Sequence, residues 1–138
     1  MVKPLTRVLV AEDEADIREL LVDILADAGY QVIGVEDGRK ALDAARSLRP
    51  DIVLLDVMMP AMDGFEVLAS LKAEVDTASV PVIMVTAKAQ KQDQTEAIKR
   101  GAMGYVTKPW EAGEIEAQVA AAEQMIRREG NTGNGNHR

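Results

Sequence analysis

Short apolar runs alternate with longer amphipathic stretches along the chain. Leu5 to Ala11 is a near-continuous run of aliphatic and β-branched residues, and Gln31–Val35, Ile52–Leu55, Val82–Val85 and Met103–Val106 are shorter runs of the same kind. Apolar residues at consecutive rather than alternate positions predict strands covered on both faces. The stretches between them carry helical spacing. Ile17, Leu20, Leu21, Ile24, Leu25 and Ala28 repeat along one such stretch, which stops at Gly29. Ala41, Leu42, Ala45 and Leu48 repeat until Pro50. Phe65, Leu68 and Leu71 follow Asp63, which with Glu66 reads as a capping box. Ile115, Val119, Ala122 and Ile126 mark a last helix, with Arg127 and Arg128 suited to the negative end of its dipole. The stretch from Ala89 to Arg100 differs. Ala97 and Ile98 are its only interior apolar residues, so it reads as a helix weakly held to the core.

Strands that alternate with helices predict an α/β chain of (βα)5 type. Such a chain forms a doubly wound, five-stranded parallel sheet with right-handed crossovers and helices on both faces. The expected strand order is 2-1-3-4-5, with the site at the carboxyl ends of the strands near the switch point. The 138 residues fit one domain, assigned to 1–128, and the Gly/Asn-rich stretch 129–138 is expected to be a flexible polar tail.

Composition removes several function classes. Aromatic residues make up 3% of the chain, so the core is expected to use Val, Ile, Leu, Met and Ala. The absence of cysteine excludes a disulfide framework and thiolate metal sites, and fits a reducing compartment; a cytoplasmic location is expected. No segment approaches the roughly 18 apolar residues of a membrane span. Met1-Val2-Lys3-Pro4 leads into a run that Glu12 interrupts, which reads as a strand and not a signal peptide. A net charge of −7 argues against a phosphate-backbone binder, so no direct nucleic-acid binding is expected.

The chemistry lies where polar residues end the strands. The first strand ends in Glu12-Asp13, the third in Asp56, the fourth in Thr86 and the fifth in Lys108. A parallel sheet puts all of these ends on one edge. Three carboxylates gathered there repel one another and raise each other's pKa values. A divalent cation removes that conflict, and oxygen-only ligands suit Mg2+, which is often completed by phosphate oxygens. Such a neutralised site can admit a phosphoryl group, with Asp56 as nucleophile, Glu12 and Asp13 holding the metal, and Lys108 and Thr86 as donors to phosphoryl oxygens. Taken singly, each residue has an ordinary role. Asp13 or Asp56 reads as a turn or cap, Lys108 as a surface charge, Thr86 as a strand residue and Asp63-Gly64 as a turn and cap. Their coincidence at one edge is what those roles leave unexplained.

These residues also carry a resemblance to the receiver domains of two-component response regulators, particularly chemotaxis-type and other single-domain receivers. It covers about residues 5–128 and rests on residues 8–14 (Val-Leu-Val-Ala-Glu-Asp-Glu), 50–64 (Pro-Asp-Ile-Val-Leu-Leu-Asp-Val-Met-Met-Pro-Ala-Met-Asp-Gly), 81–87 (Pro-Val-Ile-Met-Val-Thr-Ala) and 101–110 (Gly-Ala-Met-Gly-Tyr-Val-Thr-Lys-Pro-Trp). The resemblance implies that Asp56 is the phosphoacceptor. It implies that Glu12, Asp13, Asp56 and the Met58 backbone carbonyl form the Mg2+ site, with Mn2+ as a substitute. Thr86 and Tyr105 match the switch pair, although Tyr105 alone reads as a half-exposed aromatic on a sheet edge. Lys108 matches the lysine that meets the phosphoryl group, and the Lys108–Pro109 bond is expected to be cis. The implied donor is a phospho-histidine of a sensor histidine kinase or histidine phosphotransfer domain. The implied output face comprises the fourth helix, fifth strand and last helix, read by a downstream protein, the receiver being a monomer or a weak phosphorylation-dependent dimer. The chain would then be no enzyme beyond its own phosphorylation and dephosphorylation. Two departures stand out. Trp110 replaces the usual Phe, and Met103-Gly104 lacks the Asp that winged-helix regulators often carry before the Tyr, which puts their mode of dimerisation in doubt.

Rival readings share parts of this pattern. A flavodoxin-type cofactor protein has the same flavodoxin-like topology, but Glu12-Asp13-Glu14-Ala15-Asp16 would repel the phosphate such a loop must cradle. A metal-dependent phosphatase of the haloacid dehalogenase type wants a second Asp two residues after its nucleophile, and that position is Met58. A third reading makes the chain the N-terminal receiver of a longer response regulator or hybrid kinase whose output domain is missing.

Overall fold

The computed structural model describes residues 5–135, with side chains to Arg128. Five strands alternate with five helices: β1 (Arg7–Ala11), α1 (Ala15–Asp27), β2 (Gln31–Val35), α2 (Gly38–Leu48), β3 (Ile52–Leu55), α3 (Gly64–Ala73), β4 (Val82–Thr86), α4 (Lys91–Lys99), β5 (Gly104–Thr107) and α5 (Glu114–Gly135). The strands form one parallel sheet in the order β2-β1-β3-β4-β5. This is the expected doubly wound architecture.

The consecutive apolar positions have a direct structural cause. In β3, Val53 and Leu55 enter one core with Leu42 of α2 and Leu68 of α3, whereas Ile52 and Leu54 enter a second core with Leu25 of α1 and Val119 of α5. Successive side chains of a strand point to opposite faces, so a strand with helices on both sides must be apolar throughout. Two-sided coverage holds for β1, β3 and β4. It does not hold for β2 and β5, which the strand order places at the edges. Gln31 and Gly34 of β2 are exposed, and in β5 only Val106 is fully buried.

Several side chains fall elsewhere than the periodicity suggests. Leu5 lies before β1 and is exposed, and Leu20 and Leu48 face outward from α1 and α2. Both helices already meet the sheet through other residues, Leu21 and Leu25 in α1 and Leu42 and Ala45 in α2. Arg127 and Arg128 do not sit in the last turn of α5, because the helix runs on to Gly135; Arg127 instead pairs with Glu123 at 3.3 Å. The assigned helix thus enters the stretch 129–138 expected to be a flexible tail, of which residues 136–138 lie outside the described residues.

Local chemistry sets the helix starts that matter for the site. Asp37 caps α2 by accepting from the Lys40 N–H at 2.7 Å. Asp63 and Glu66 form the expected capping box at α3, each accepting from the other's backbone N–H at 2.9 and 3.0 Å. The loop between β3 and α3 is pinned from both ends by glycine. A Cβ on Gly38 would lie 2.0 Å from the Met62 carbonyl oxygen, and one on Gly64 would lie 2.2 Å from the Asp56 carbonyl oxygen. In both cases the obstacle is backbone. Gly38→Ala is therefore expected to cost about 1–3 kcal/mol by overpacking, read as a lower urea midpoint with an unchanged slope.

Candidate functional site

The carboxyl edge of the sheet gathers the polar strand ends. Glu12 continues the β1–β2 pairing through its N–H to the Val35 carbonyl at 3.0 Å, and Asp56 continues the β3–β1 pairing through its N–H to the Ala11 carbonyl at 3.1 Å. Both residues are buried, whereas Asp13 is exposed. One carboxylate oxygen from each of Glu12, Asp13 and Asp56 lies within 4.8 Å of the other two.

Lys108 reaches this cluster from the end of β5. Its backbone N–H donates to the Thr86 carbonyl at 2.9 Å, and the Lys108–Pro109 peptide bond is cis. Its Nζ donates to Glu12 Oε1 at 2.6 Å and to Asp56 Oδ2 at 2.8 Å. Burial works to lower the Lys108 pKa, but the hydrogen bonds it donates to Asp56 and Glu12, with the charges of those carboxylates, outweigh it and hold the ammonium above its ordinary value. The Glu12 carboxyl is pushed up to about 6, chiefly by burial; Lys108 and the Glu14 N–H oppose the shift and Asp56 reinforces it. Met58 is placed beside Asp56 by its N–H, which donates to Asp56 Oδ1 at 3.1 Å, while its side chain is exposed.

Thr86 and Tyr105 meet through a third residue. The Lys88 N–H donates to Thr86 Oγ1 at 3.3 Å, and the Tyr105 hydroxyl donates to the Lys88 carbonyl at 2.7 Å. Burial, with smaller contributions from the charges of Asp93 and Asp56, pushes the Tyr105 phenol up to about 12. Tyr105 is half-buried against the core that contains Ala97. Beside Lys108, an apolar groove of about 420 Å³ opens between Ile17, Leu20, Pro109 and Trp110.

Residues 8–120 match the response regulator receiver domain family. The chain belongs to that family. This receiver is 40% identical over 115 residues to the DNA-binding response regulator MtrA of Mycobacterium leprae, covering 83% of this chain and 50% of that protein. It is 37% identical over 120 residues to the phosphate regulon transcriptional regulatory protein PhoB of Escherichia coli K12, covering 87% of this chain and 52% of that protein. The receiver thus spans about half the length of these relatives. The solved structure of the chemotaxis response regulator CheY4 of Vibrio cholerae superposes with a TM-score of 0.81 at 30% identity, covering 86% of this chain and 99% of that one. The receiver is therefore a signal-transduction domain of two-component type. Among its described residues no helix is long and apolar enough to cross a membrane.

The fold brings together Glu12, Asp13, Asp56 and Lys108, with Met58 bonded to Asp56 and Thr86 bonded to Lys108 through the backbone. Four contributors escaped the sequence reading. Gly64 read as a turn residue, yet its missing Cβ is what lets α3 start against the Asp56 carbonyl. Gly38 does the same from α2. Ala61 adopts a φ of 71° in a tight turn closed by the Met62 N–H to the Pro60 carbonyl at 2.8 Å, a left-handed conformation unusual for alanine. Arg18 donates from Nη1 to the Glu12 carbonyl at 2.8 Å. The two glycines were visible as residues, but their close approaches join segments remote in sequence.

The raised Glu12 carboxyl carries a pH signature in metal-free protein. The folded state holds that proton more tightly than the unfolded chain, so the contribution is complete below about pH 4.5 and is lost as pH rises through about 6. Glu12→Gln is expected to stabilise the metal-free receiver at neutral pH by about 2 kcal/mol and to change little in acid. Urea unfolding in a chelator under both conditions checks the sign.

Proposed function

We propose that this receiver accepts a phosphoryl group on Asp56 from a phospho-histidine of a sensor histidine kinase or histidine phosphotransfer domain, and relays the change through its α4-β5-α5 face. The observation that carries this reading is the Lys108 ammonium bonded to both Glu12 and Asp56 within a cluster of three carboxylates. A structural salt bridge needs one carboxylate per cation; three carboxylates to one ammonium leave two formal negative charges in excess, which a divalent cation would neutralise.

The donor set fits Mg2+. It offers carboxylate oxygens of Glu12, Asp13 and Asp56, with the Met58 carbonyl as a fourth protein ligand, and no nitrogen or sulfur that would favour a softer metal. When bound, the ion would neutralise excess carboxylate charge and stabilise charge on the phosphoryl oxygens. The residues of the chain perform the rest. A carboxylate oxygen of Asp56 forms the new O–P bond as the N–P bond of the donor breaks and its imidazole leaves. Lys108 keeps one donor on the acceptor side and presents its ammonium to the incoming phosphoryl oxygens. The Thr86 hydroxyl supplies a further donor. Transfer ends on the protein itself, so no second substrate is turned over.

The output step follows from the Thr86–Lys88–Tyr105 link. A phosphoryl group adds about −1.5 to −2 charge, and a Thr86 hydroxyl drawn to it no longer accepts from Lys88. The loop that loses this bond also anchors Tyr105. Helix α4 begins just beyond that loop and fully buries only Ala97. A downstream protein would read this face, with the receiver acting as a monomer or forming a weak dimer on phosphorylation. The stretch 129–138 serves as a tail to the domain 1–128.

Acetyl phosphate is expected to label the receiver only with Mg2+ or Mn2+ present, and Asp56→Asn to abolish labelling. Mass spectrometry of the intact protein checks this; full labelling of the Asn variant refutes the acceptor. With beryllofluoride as a phosphoryl mimic, the largest hydrogen-exchange changes away from the site are expected between Ala87 and Tyr105. Changes confined to α1 and α2 would instead point to a partner that reads the opposite face.

A further inference from the structure

We propose that Arg18 is a positioning residue for the cation site, holding the peptide backbone of Glu12 and Asp13 so that their carboxylates converge on Asp56. This rests on the Mg2+ reading of the acidic cluster and adds a residue to it.

Arg18 is the fourth residue of α1, yet its side chain turns back to the loop that precedes the helix. Nη1 donates to the Glu12 carbonyl at 2.8 Å and approaches the Asp13 carbonyl at 3.5 Å. Its own N–H donates to the Glu14 carbonyl at 2.9 Å. The side chain thus meets two successive carbonyls of the acidic loop, while the N–H makes the ordinary helical bond to the residue that caps α1. The α1 N-terminus has no side-chain cap, so this guanidinium supplies an anchor that the helix start itself lacks. Among the described residues Arg18 forms no ion pair within 4 Å, although the chain is rich in carboxylates; its charge is directed at carbonyls.

The edge strand helps to aim it. Gly34 of β2 leaves a space over which the Arg18 stem lies: a Cβ there would stand 3.2 Å from Arg18 Cγ and 3.3 Å from Cδ. Asp13 gains most from this arrangement. Glu12 and Asp56 are buried and held by Lys108, but Asp13 is exposed and has no side-chain hydrogen bond among the described residues. Its place in the cluster is set by its backbone. Groups that orient metal ligands in this way typically carry 10- to 100-fold in affinity. A guanidinium near a cation site also repels the cation, so the two effects predict opposite signs, and the sign decides between them.

The test is Mg2+ titration by calorimetry on the full chain, together with metal-free thermal melting. Arg18→Met keeps the stem over Gly34 and removes the donors. It is expected to melt close to the parent without metal and to bind Mg2+ about 10-fold more weakly. Arg18→Lys, which retains one donor, is expected to recover part of the loss and serves as the decisive variant if the Met protein does not fold. Unchanged or tighter Mg2+ binding in a folded variant overturns the positioning role while leaving the cation site in place. Equal binding by the Lys and Met variants also overturns it, because restoring a donor at that place would then recover none of the affinity. Failure of the parent itself to bind Mg2+ removes the cation site and this inference together.

Discussion

Two carboxylates are buried side by side at the carboxyl edge of the sheet, and one ammonium from another strand holds them there. Glu12 follows β1, Asp56 follows β3 and Lys108 follows β5, so their meeting depends on the parallel order of the four strands from β1 to β5 across the sheet, β1-β3-β4-β5. The arrangement works against stability: burial alone lifts the Glu12 carboxyl, and Asp56 adds to it. A fold selected for stability alone would fill this edge with apolar residues. The site is instead kept in electrostatic tension, which on the proposed reading a cation and a phosphoryl group together would relieve. Perturbed groups of this kind mark functional sites because binding there yields a response.

Around that edge the structure divides into a rigid side and a yielding side. The loop after Asp56 is clamped by Gly38 and Gly64, sealed by the Asp63–Glu66 capping box and turned through Ala61. Every one of these constraints engages backbone, which holds Asp56 in place. On the other side, α4 fully buries only Ala97, and Arg100 after its last residue stacks over the Phe65 ring at 5.5 Å, a contact weak at exposed sites. Elements with few buried apolar contacts open at low free energy. The Lys88 peptide joins the two sides, since Thr86 bonds its N–H and Tyr105 bonds its carbonyl.

The receiver domain recurs in chains of different length. The receiver aligns with about half of MtrA and of PhoB, whereas it covers nearly all of the CheY4 chain. The same domain therefore aligns both with part of regulators about twice as long and with nearly the whole of a chain of similar length. Glu12, Asp13, Asp56, Thr86, Tyr105 and Lys108 all lie within residues 8–120, the span the family shares.

By itself the sequence determined the number, type and order of the elements, because strand and helix periodicities are local properties of the chain. It also determined the strand ends that carry Glu12, Asp13, Asp56, Thr86 and Lys108, since a polar residue closing an apolar run is visible without coordinates. The capping box at Asp63 was legible for the same reason. Only the tertiary structure decided which strands are edges, and with that the exposure of Gln31 and Gly34 in a run that reads as buried. It alone turned Leu20 and Leu48 outward, since an apolar residue beside the buried stripe carries the same letter as one within it. The close approaches at Gly38 and Gly64 and the reach of Arg18 to the acidic loop belong to the same class. Each depends on how near one segment passes to another, and that distance is a property of the packed chain that no local pattern encodes.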